Sequence, residues 1–246
     1  MLARIHNRLA LLDSTQSVKC KHHEAMASFT FDDFPTSAYT IAGKMLEEAG
    51  ARGTYFASAE FMGRTIDGIE YYTPDLLKEI HAKGHEIGCH SFSHVRLGAK
   101  GPAFAKDSAK KNLAVMRAIL GEQFTMTSFA YPYGDVSPAV KWAMGRHFSL
   151  CRGVHQSANT GSVDLAQIRI ISLESRHWDS DAMSRIVEEA KRNRSWLVFL
   201  THDISDSPTP YGSTPAMMRT VLDMLGQSSI PIMPLKAAAA KAVFGG

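Results

Sequence analysis

The chain has 246 residues, of which 45% are hydrophobic and 21% are charged. That length supports one domain with a hydrophobic core but is short for two, so we expect a single domain whose core spans about residues 27–235. The formal net charge is only +3, and the one basic run, Lys191 to Arg194, is typical of a solvated helix end. This charge pattern gives no electrostatic footprint for nucleic acid, and we exclude that class of partner.

Cysteine usage and the absence of long apolar runs point to a cellular compartment. The three cysteines show no CxxC spacing and are odd in number, so neither a disulfide framework nor a thiolate zinc site is indicated. No window approaches the roughly 18 apolar residues of a membrane span, and the N-terminal segment does not resemble a signal peptide. We therefore expect a cytoplasmic protein without a transmembrane segment. The sequence does not indicate its oligomeric state.

The hydrophobic pattern predicts strands and helices that alternate along the whole chain. The predicted strands are residues 27–31, 53–57, 85–89, 124–130, 148–152, 167–173, 196–200 and 230–233. The predicted helices are residues 38–49, 74–83, 104–120, one from about 138, 179–192, 215–225 and an alanine-rich helix at the C-terminus. Capping residues such as Ser37 and Thr73 precede the helices, and glycines such as Gly84 end them.

Polar residues with catalytic potential follow the ends of successive predicted strands. They are Asp32, Asp33, His90, Tyr133 and His202. In barrels of alternating strands and helices, active sites lie at the carboxyl ends of the strands. The pattern therefore predicts one α/β barrel with an active site at that end.

A metal site is predicted around the segment GHEIGCHSFSH, residues 84–94. His90 and His94 are four residues apart, a spacing that puts both imidazoles on one face of a helical turn. Metal sites require a third protein ligand, and Asp32 and Asp33 are the best candidates. Adjacent side chains at a strand end point in different directions, so one carboxylate can bind the ion while the other faces its water.

Four motifs together resemble a known family. They are TFDD at Thr30 to Asp33, HSFSH at His90 to His94, YPYG at Tyr131 to Gly134, and FLTHD at Phe199 to Asp203. In this order and spacing they resemble the NodB-homology polysaccharide deacetylases, carbohydrate esterase family 4, over most of the chain. The resemblance implies a distorted (β/α) barrel of about seven strand–helix units. It also implies hydrolysis of N-acetyl, or occasionally O-acetyl, groups on a polysaccharide, an oligosaccharide or a glycolipid precursor.

The resemblance also implies roles for individual residues. Asp33, His90 and His94 would be the metal ligands, Asp32 the general base and His202 the general acid. A set of two histidines and one carboxylate favours Zn²⁺, while Co²⁺, Ni²⁺ and Mn²⁺ remain open. The implied partner is an N-acetylated carbohydrate.

The chemistry of amide hydrolysis supports these assignments. An amide carbonyl is a poor electrophile and water a poor nucleophile, and one ion addresses both problems by polarising the carbonyl and lowering the pKa of water toward ~7. Asp32 can then accept a proton, and His202 can protonate the departing nitrogen. By resemblance, the backbone N–H of Tyr133 stabilises the oxyanion, Leu200 contacts the acetyl methyl group, and Trp178 lies at the substrate pocket.

Two positions depart from the family pattern. The third motif usually supplies an arginine that braces the base, but Ala130 occupies the aligned position. We hypothesise that Arg169, on the strand before the fourth motif, replaces it. The fourth motif usually supplies an aspartate that tunes the acid histidine. Here that acid is Glu174, Asp179 or neither, and the sequence does not choose among these alternatives.

These departures leave two other functions open. The first is hydrolysis of a small non-sugar amide, although relatives with that activity often lack the metal and the ligand set here is intact. The second is a barrel that binds carbohydrate without catalysis, motivated by Ala130 and the altered fourth motif. The retention of all five implied metal and catalytic residues opposes this second alternative.

Overall fold

The computed structural model describes residues 2–245, with side chains from His6 onward. Seven parallel strands form a closed barrel. In chain order they are β1 (Met26–Phe31), β2 (Thr54–Ala57), β3 (Glu86–Cys89), β4 (Ser128–Ala130), β5 (Leu150–Gln156), β6 (Ile168–Ser172) and β7 (Trp196–Thr201). Each strand neighbours the next in the chain, and β7 closes on β1. The predicted α/β barrel of about seven units is confirmed.

Helices connect all consecutive strands of the barrel except β5 and β6, and they cover its outside. They are α1 (Leu2–Leu12), α2 (Lys44–Glu48, continuing a π-helical turn at Ala38–Gly43), α3 (Pro74–Ala82), α4 (Gly101–Leu120), α5 (Pro138–Gly145), α6 (Ser180–Asn193), α7 (Pro215–Gln227) and α8 (Leu235–Phe244). The side chains of Thr73 and Ser137 cap α3 and α5, and a proline occupies the first position of each helix. Within residues 2–245, no helix combines the length and the apolar character needed to cross a membrane.

Short elements decorate the barrel. Two pairs of antiparallel strands lie outside it, Ser17–Lys19 with Ser162–Asp164 and Thr65–Ile66 with Ile69–Glu70. Three single 3₁₀ turns occupy Ala59–Phe61, Pro132–Gly134 and Ser175–His177. The N-terminal helix α1, which the sequence pattern did not predict, packs on α5, where Lys141 Nζ donates a hydrogen bond to the Ala10 carbonyl.

Three predicted elements differ from the structure. The fourth strand is confined to residues 128–130, and residues 230–233 form only an isolated bridge between Ile232 and Ala27. Pro231 and Pro234 flank that bridge and lack the N–H groups that a longer ladder requires. Ser37 does not cap its helix; its hydroxyl accepts a hydrogen bond from the Ile204 N–H.

Large apolar side chains hold adjacent strands together. Phe29 of β1 lies beside Phe199 of β7, with ring centroids 4.9 Å apart, and both side chains are buried. Burying a side chain of this kind contributes about 1.5–3 kcal/mol. Trp196 is fully buried at the start of β7, and its Nε1–H donates to Ser28 Oγ. This packing fixes β1 against β7, the two strands from which Asp32 and His202 extend.

Candidate active site

The residues that the sequence pattern selected converge at the carboxyl end of the barrel. Asp32 and Asp33 directly follow β1. His90 directly follows β3, and His202 directly follows β7. All four, together with His94, line one cavity of about 410 Å³, a size typical of small-ligand sites. The parallel barrel therefore gathers side chains that are far apart in the chain around one opening.

Asp33, His90 and His94 bring three potential ligand atoms together. The Nε2 atoms of His90 and His94 lie 3.4 Å and 3.1 Å, respectively, from Asp33 Oδ1. The potential ligand atoms of the three residues all lie within 4.8 Å of one another. Two ligands bound at about 2.1 Å with a tetrahedral angle between them lie about 3.4 Å apart. The spacing therefore fits a single divalent ion.

The orientation and protonation of these groups also fit a metal. His90 Nδ1 lies 2.8 Å from the Ala130 carbonyl oxygen, so a proton donated there leaves the Nε2 lone pair for an ion. Burial, aided by the charge of His90, lowers the pKa of His94 to about 3, and its imidazole is neutral at neutral pH. Asp33 Oδ1 is buried and has no hydrogen-bond partner in the described residues. A cation would satisfy this oxygen.

The segment that carries both histidines is a loop and not a helix, so the helical-turn geometry inferred from their spacing was wrong. Residues 90–97 are irregular, with left-handed φ values of 63° at Ser91 and 47° at His94. The His94 N–H donates to Ser91 Oγ across 3.0 Å. This tight turn places the rings of His90 and His94 with their centroids 4.8 Å apart. A helix is therefore not needed to bring the two imidazoles together.

The guanidinium that contacts Asp32 belongs to Arg152 and not to Arg169, which corrects the sequence-based hypothesis. Arg152 Nη2 donates a hydrogen bond to Asp32 Oδ1, and both side chains are buried. Arg152 lies in β5 directly beside Ala130 of β4, so the neighbouring strand supplies the cation that Ala130 lacks. Arg169 is exposed and lines a separate cavity of about 160 Å³. Both of its neighbours in β6 are buried, which leaves Arg169 on the other face of the strand.

The two adjacent carboxylates have opposite pKa shifts. Burial favours the neutral form of both Asp32 and Asp33. At Asp32 the surrounding positive charges, that of Arg152 above all, outweigh burial and lower the pKa. At Asp33 burial prevails and raises the pKa. The surroundings of Asp32 therefore favour its charged form, and a cation beside Asp33 would favour the charged form of that carboxyl group as well.

His202 is held by groups from two loops. Its Nδ1 atom lies 3.2 Å from the Tyr211 carbonyl oxygen and 4.0 Å from Glu174 Oε1. Glu174 is buried and follows β6, so it is the one of the two candidate acids that lies near His202. Asp179 was the wrong candidate: its Oδ1 accepts a hydrogen bond from the Ala182 N–H at the start of α6. A carboxylate at this position satisfies an N–H group that the helix leaves free.

Two of the three residues expected to contact substrate line the cavity. Tyr133 is 54% exposed in the YPYG turn, with a left-handed φ of 57° and its ring 4.5 Å from that of His94. Leu200 is buried at the end of β7 and forms an apolar part of the wall. Trp178 was expected at the pocket, but it packs against the main hydrophobic core and is not among the lining residues. Burial of its large apolar ring is the physical reason for that orientation.

The side chains of the site that were not anticipated include three arginines and one tyrosine. They are Arg96, Arg152, Arg176 and Tyr211. A signal for Arg152 was present, because it ends a predicted buried strand and a buried arginine requires an acidic partner. The other three lie in loops, whose paths no local sequence pattern determines.

Comparisons with known proteins connect this geometry to a family. The family model described as polysaccharide deacetylase matches residues 19–147, slightly more than half of the chain. A chitin deacetylase from Arthroderma benhamiae is 34% identical over 73 residues, which cover 28% of this chain and 18% of the relative. A peptidoglycan-N-acetylglucosamine deacetylase from Bacillus cereus is 25% identical over 132 residues, covering 52% of this chain and 44% of the relative. The chain therefore spans less than half the length of these curated relatives.

Solved structures share the fold over most of the chain. A family 4 acetyl xylan esterase from Clostridium thermocellum, in complex with a cobalt ion, has a TM-score of 0.61 and 18% identity, covering 86% of this chain and 89% of that one. The chitin deacetylase from Colletotrichum lindemuthianum has a TM-score of 0.65 and 13% identity, covering 93% and 91%, respectively. At these identities the similarity establishes a common fold alone.

Proposed function

The chain belongs to the polysaccharide deacetylase family, and from this premise we propose that it removes N-acetyl groups from a sugar unit of a polysaccharide, an oligosaccharide or a glycolipid precursor. One observation carries the proposal. Three potential metal ligands (Asp33, His90 and His94) lie in the same cavity as a buried carboxylate and a histidine (Asp32 and His202). Amide hydrolysis requires an electrophilic catalyst, a base and an acid, and this set provides all three.

Asp33, His90 and His94 would hold the divalent ion. When bound, the ion would polarise the acetyl carbonyl and lower the pKa of water. Two nitrogen ligands and one carboxylate favour Zn²⁺, with Co²⁺, Ni²⁺ and Mn²⁺ as other first-row ions that suit the same set. The Ala130 carbonyl fixes the ring of His90, so the ligand is oriented before an ion binds.

Asp32 is the proposed general base. Its carboxylate is buried, and the Arg152 guanidinium lowers its pKa and fixes one of its oxygens. The other oxygen, Oδ2, lies 3.8 Å from His90 Nε2 and is therefore next to the metal ligands. An ionised carboxylate at this place can accept the proton that water loses when it attacks the amide carbon.

His202 is the proposed general acid. When both ring nitrogens carry protons, Nδ1–H donates to the Tyr211 carbonyl and Nε2–H is available for the departing nitrogen. Glu174 lies 4.0 Å from Nδ1, close enough to orient the ring. We further propose that the Tyr133 N–H stabilises the oxyanion and that Leu200 contacts the acetyl methyl group. Both residues line the cavity.

The test is acetate release from N-acetylated oligosaccharides by metal-stripped protein, before and after Zn²⁺ or Co²⁺ is added back. We expect acetate only after add-back. Three controls distinguish N-deacetylation from other sources of acetate. O-acetylated xylan oligomers measure ester hydrolysis, small non-sugar amides measure general amidase activity, and protein without substrate measures the background.

Two variants assign the steps. Asp32→Asn should retain the metal, measured by elemental analysis, and lose turnover, whereas His90→Ala should lose both. Wild-type turnover in Asp32→Asn would contradict the base assignment. A metal-loaded protein that releases no acetate from any N-acetyl sugar but binds the oligosaccharides would identify a carbohydrate-binding barrel without catalysis.

A further inference from the structure

Two arginines flank the cavity, and each is stacked on a tyrosine. The Arg96 guanidinium carbon lies 4.5 Å from the centre of the Tyr133 ring, and that of Arg176 lies 4.2 Å from the centre of the Tyr211 ring. All four side chains line the cavity that contains the metal ligands. A guanidinium stacked on a ring can donate hydrogen bonds from its N–H edge to a carboxylate or a phosphate.

Each of the two tyrosines also lies beside a histidine with a proposed metal-binding or catalytic role. The Tyr133 ring lies 4.5 Å from the ring of His94, and the Tyr211 ring lies 5.6 Å from the ring of His202. Two groups, each of one histidine, one tyrosine and one arginine, therefore line the cavity. The first lies on the loop after β3 and on the YPYG turn, and the second lies on the loops after β6 and β7. Both arginines are close to where the acetylated sugar would bind.

The two arginines differ in how far acidic neighbours neutralise them. Arg176 directs Nε and Nη2 to one oxygen of buried Glu174, at 3.0 Å and 2.9 Å, and its side chain remains 41% exposed. Arg96 forms no salt bridge with any residue that the structure describes, and it is exposed. Arg96 is thus a cation held in place at the cavity without an internal counter-ion.

The charge balance of the cavity also favours the binding of an anion. Counted by formal charge, the cavity and the arginine partner of Asp32 contribute three carboxylates and three guanidinium groups, namely Asp32, Asp33 and Glu174 with Arg96, Arg152 and Arg176. These charges cancel, so a divalent ion would leave the cavity with an excess of positive charge. A cavity of that sign attracts anions and disfavours cations.

We propose that the substrate is an anionic carbohydrate, whose carboxylate or phosphate group contacts Arg96 and Arg176 while its N-acetyl group lies at the metal centre. This inference rests on the proposed function for the position of the acetyl group. Recognition of the anion is a separate property and can be measured as binding.

The experiment compares three oligosaccharides that differ in one group: one with a carboxylate, the same compound after reduction of the carboxyl to a primary alcohol, and one with a phosphate ester. Binding of their deacetylated forms is measured by calorimetry on metal-stripped and metal-loaded protein, at low and at high ionic strength. The kcat/KM for acetate release is measured on the acetylated forms. We expect the anionic compounds to bind roughly 10- to 100-fold more tightly than the alcohol, an advantage that weakens with salt.

Variants locate the effect. Arg96→Gln should reduce the preference for the anionic compound by about tenfold, and the double variant with Arg176→Lys should retain more of it than the double variant with Arg176→Gln. Arg146→Gln is the matched control, because Arg146 is also exposed and its guanidinium carbon lies 4.9 Å from the centre of the Trp142 ring, but it directly follows α5 and does not line the cavity. The preference of the Arg146→Gln variant for the anionic compound over the alcohol should equal that of the wild type.

The outcomes separate the two proposals. Preference for the carboxylate or for the phosphate supports the inference and identifies the group. Equal binding of the alcohol, or a preference that survives Arg96→Gln combined with Arg176→Gln, overturns it. Anion-selective binding without acetate release from any compound would retain the inference for the cavity and contradict the deacetylase function.

Discussion

The two ends of the barrel both bury a carboxylate, but they satisfy it differently. At the amino end, both oxygens of Glu86 accept hydrogen bonds, from the hydroxyls of Ser128 and Thr54 and from the Lys236 N–H. At the carboxyl end, Asp33 Oδ1 has no hydrogen-bond partner in the described residues. Glu86 is therefore satisfied by internal hydrogen bonds, whereas Asp33 Oδ1 remains available to an ion beside His90 and His94.

Backbone strain is distributed in the same way. In residues 2–245, eight residues other than glycine have left-handed φ values, and five of them surround the candidate active site. These five are Asp33, Phe34, Ser91, His94 and Tyr133. Each such residue costs on the order of 1–3 kcal/mol, which packing elsewhere must offset. Most of the left-handed residues therefore lie at the carboxyl end of the barrel, where they position the proposed metal ligands and their neighbours.

The largest effect should follow from removing a proposed metal ligand. Asp33→Asn should lower kcat/KM for acetate release on the order of 10³-fold, because the amide cannot replace the carboxylate in binding the ion. The free energy of unfolding of the metal-free protein should change by less than about 0.5 kcal/mol, since no internal hydrogen bond to Oδ1 is lost. Urea unfolding of metal-stripped protein measures the second quantity. A large loss of stability without metal would make Asp33 a structural residue and remove the contrast with Glu86.

The next largest effect concerns the arginine that pairs with the proposed base. Arg152→Gln leaves the buried Asp32 carboxylate unpaired, so it should lower the free energy of unfolding by about 3–5 kcal/mol and kcat/KM by roughly 100-fold. Arg152→Lys, which retains the charge, should recover part of both losses and remains testable if the glutamine variant does not fold. Arg169→Gln is the control and should change neither quantity appreciably. An activity loss in Arg169→Gln equal to that in Arg152→Gln would restore the sequence-based hypothesis.

A variant of Glu86 tests how much the carboxylate at the amino end of the barrel contributes to stability. Glu86→Ala leaves two hydroxyls and one backbone N–H without their acceptor, and it should lower the free energy of unfolding by about 2–4 kcal/mol. The kcat of the folded protein and its metal content should be unchanged, because Glu86 lies at the other end of the strand from His90. Denaturant unfolding and metal analysis provide the readouts. Loss of bound metal in a folded Glu86→Ala protein would show that the two ends are not independent.

The smallest effect is expected at a second saturated carboxylate, and it depends on pH. Asp164 accepts hydrogen bonds from the Thr15, Gln16 and Ala166 N–H groups and pairs with Lys141 at 2.7 Å. Burial opposes its charge, but these partners prevail and lower its pKa. A lowered folded-state pKa contributes stability above the unfolded value of about 3.9, and this contribution is lost as pH falls through the folded value.

Asp164→Asn should therefore cost about 1–3 kcal/mol at neutral pH and progressively less in acid. The measurement is a series of urea unfolding curves for the wild-type and Asp164→Asn proteins, from neutral pH down into acid. A difference that stays constant into acid would show that the charge of Asp164 does not contribute to stability.

Several features of the site were accessible from the sequence because they depend on local patterns. A strand that ends in two aspartates, and another that ends at His202, can be recognised from periodicity alone. The cap residue Thr73 was recognised in the same way, since a cap bonds to an N–H only three residues away. Ser37 has the same local signal, but its hydroxyl bonds to the Ile204 N–H, a partner that no local pattern reveals.

The alternation of strands and helices could be predicted from the sequence alone. Because the carboxyl ends of parallel strands lie at the same end of a barrel, this alternation also places four residues together, namely Asp32, Asp33, His90 and His202. The arginine that contacts Asp32 could be identified only from the tertiary structure. Arg152 is 120 residues away in the chain, and β5 does not neighbour β1, so its side chain crosses the barrel interior to make the contact. Such a contact depends on barrel closure and side-chain direction, which are properties of the assembled fold and not of any local segment.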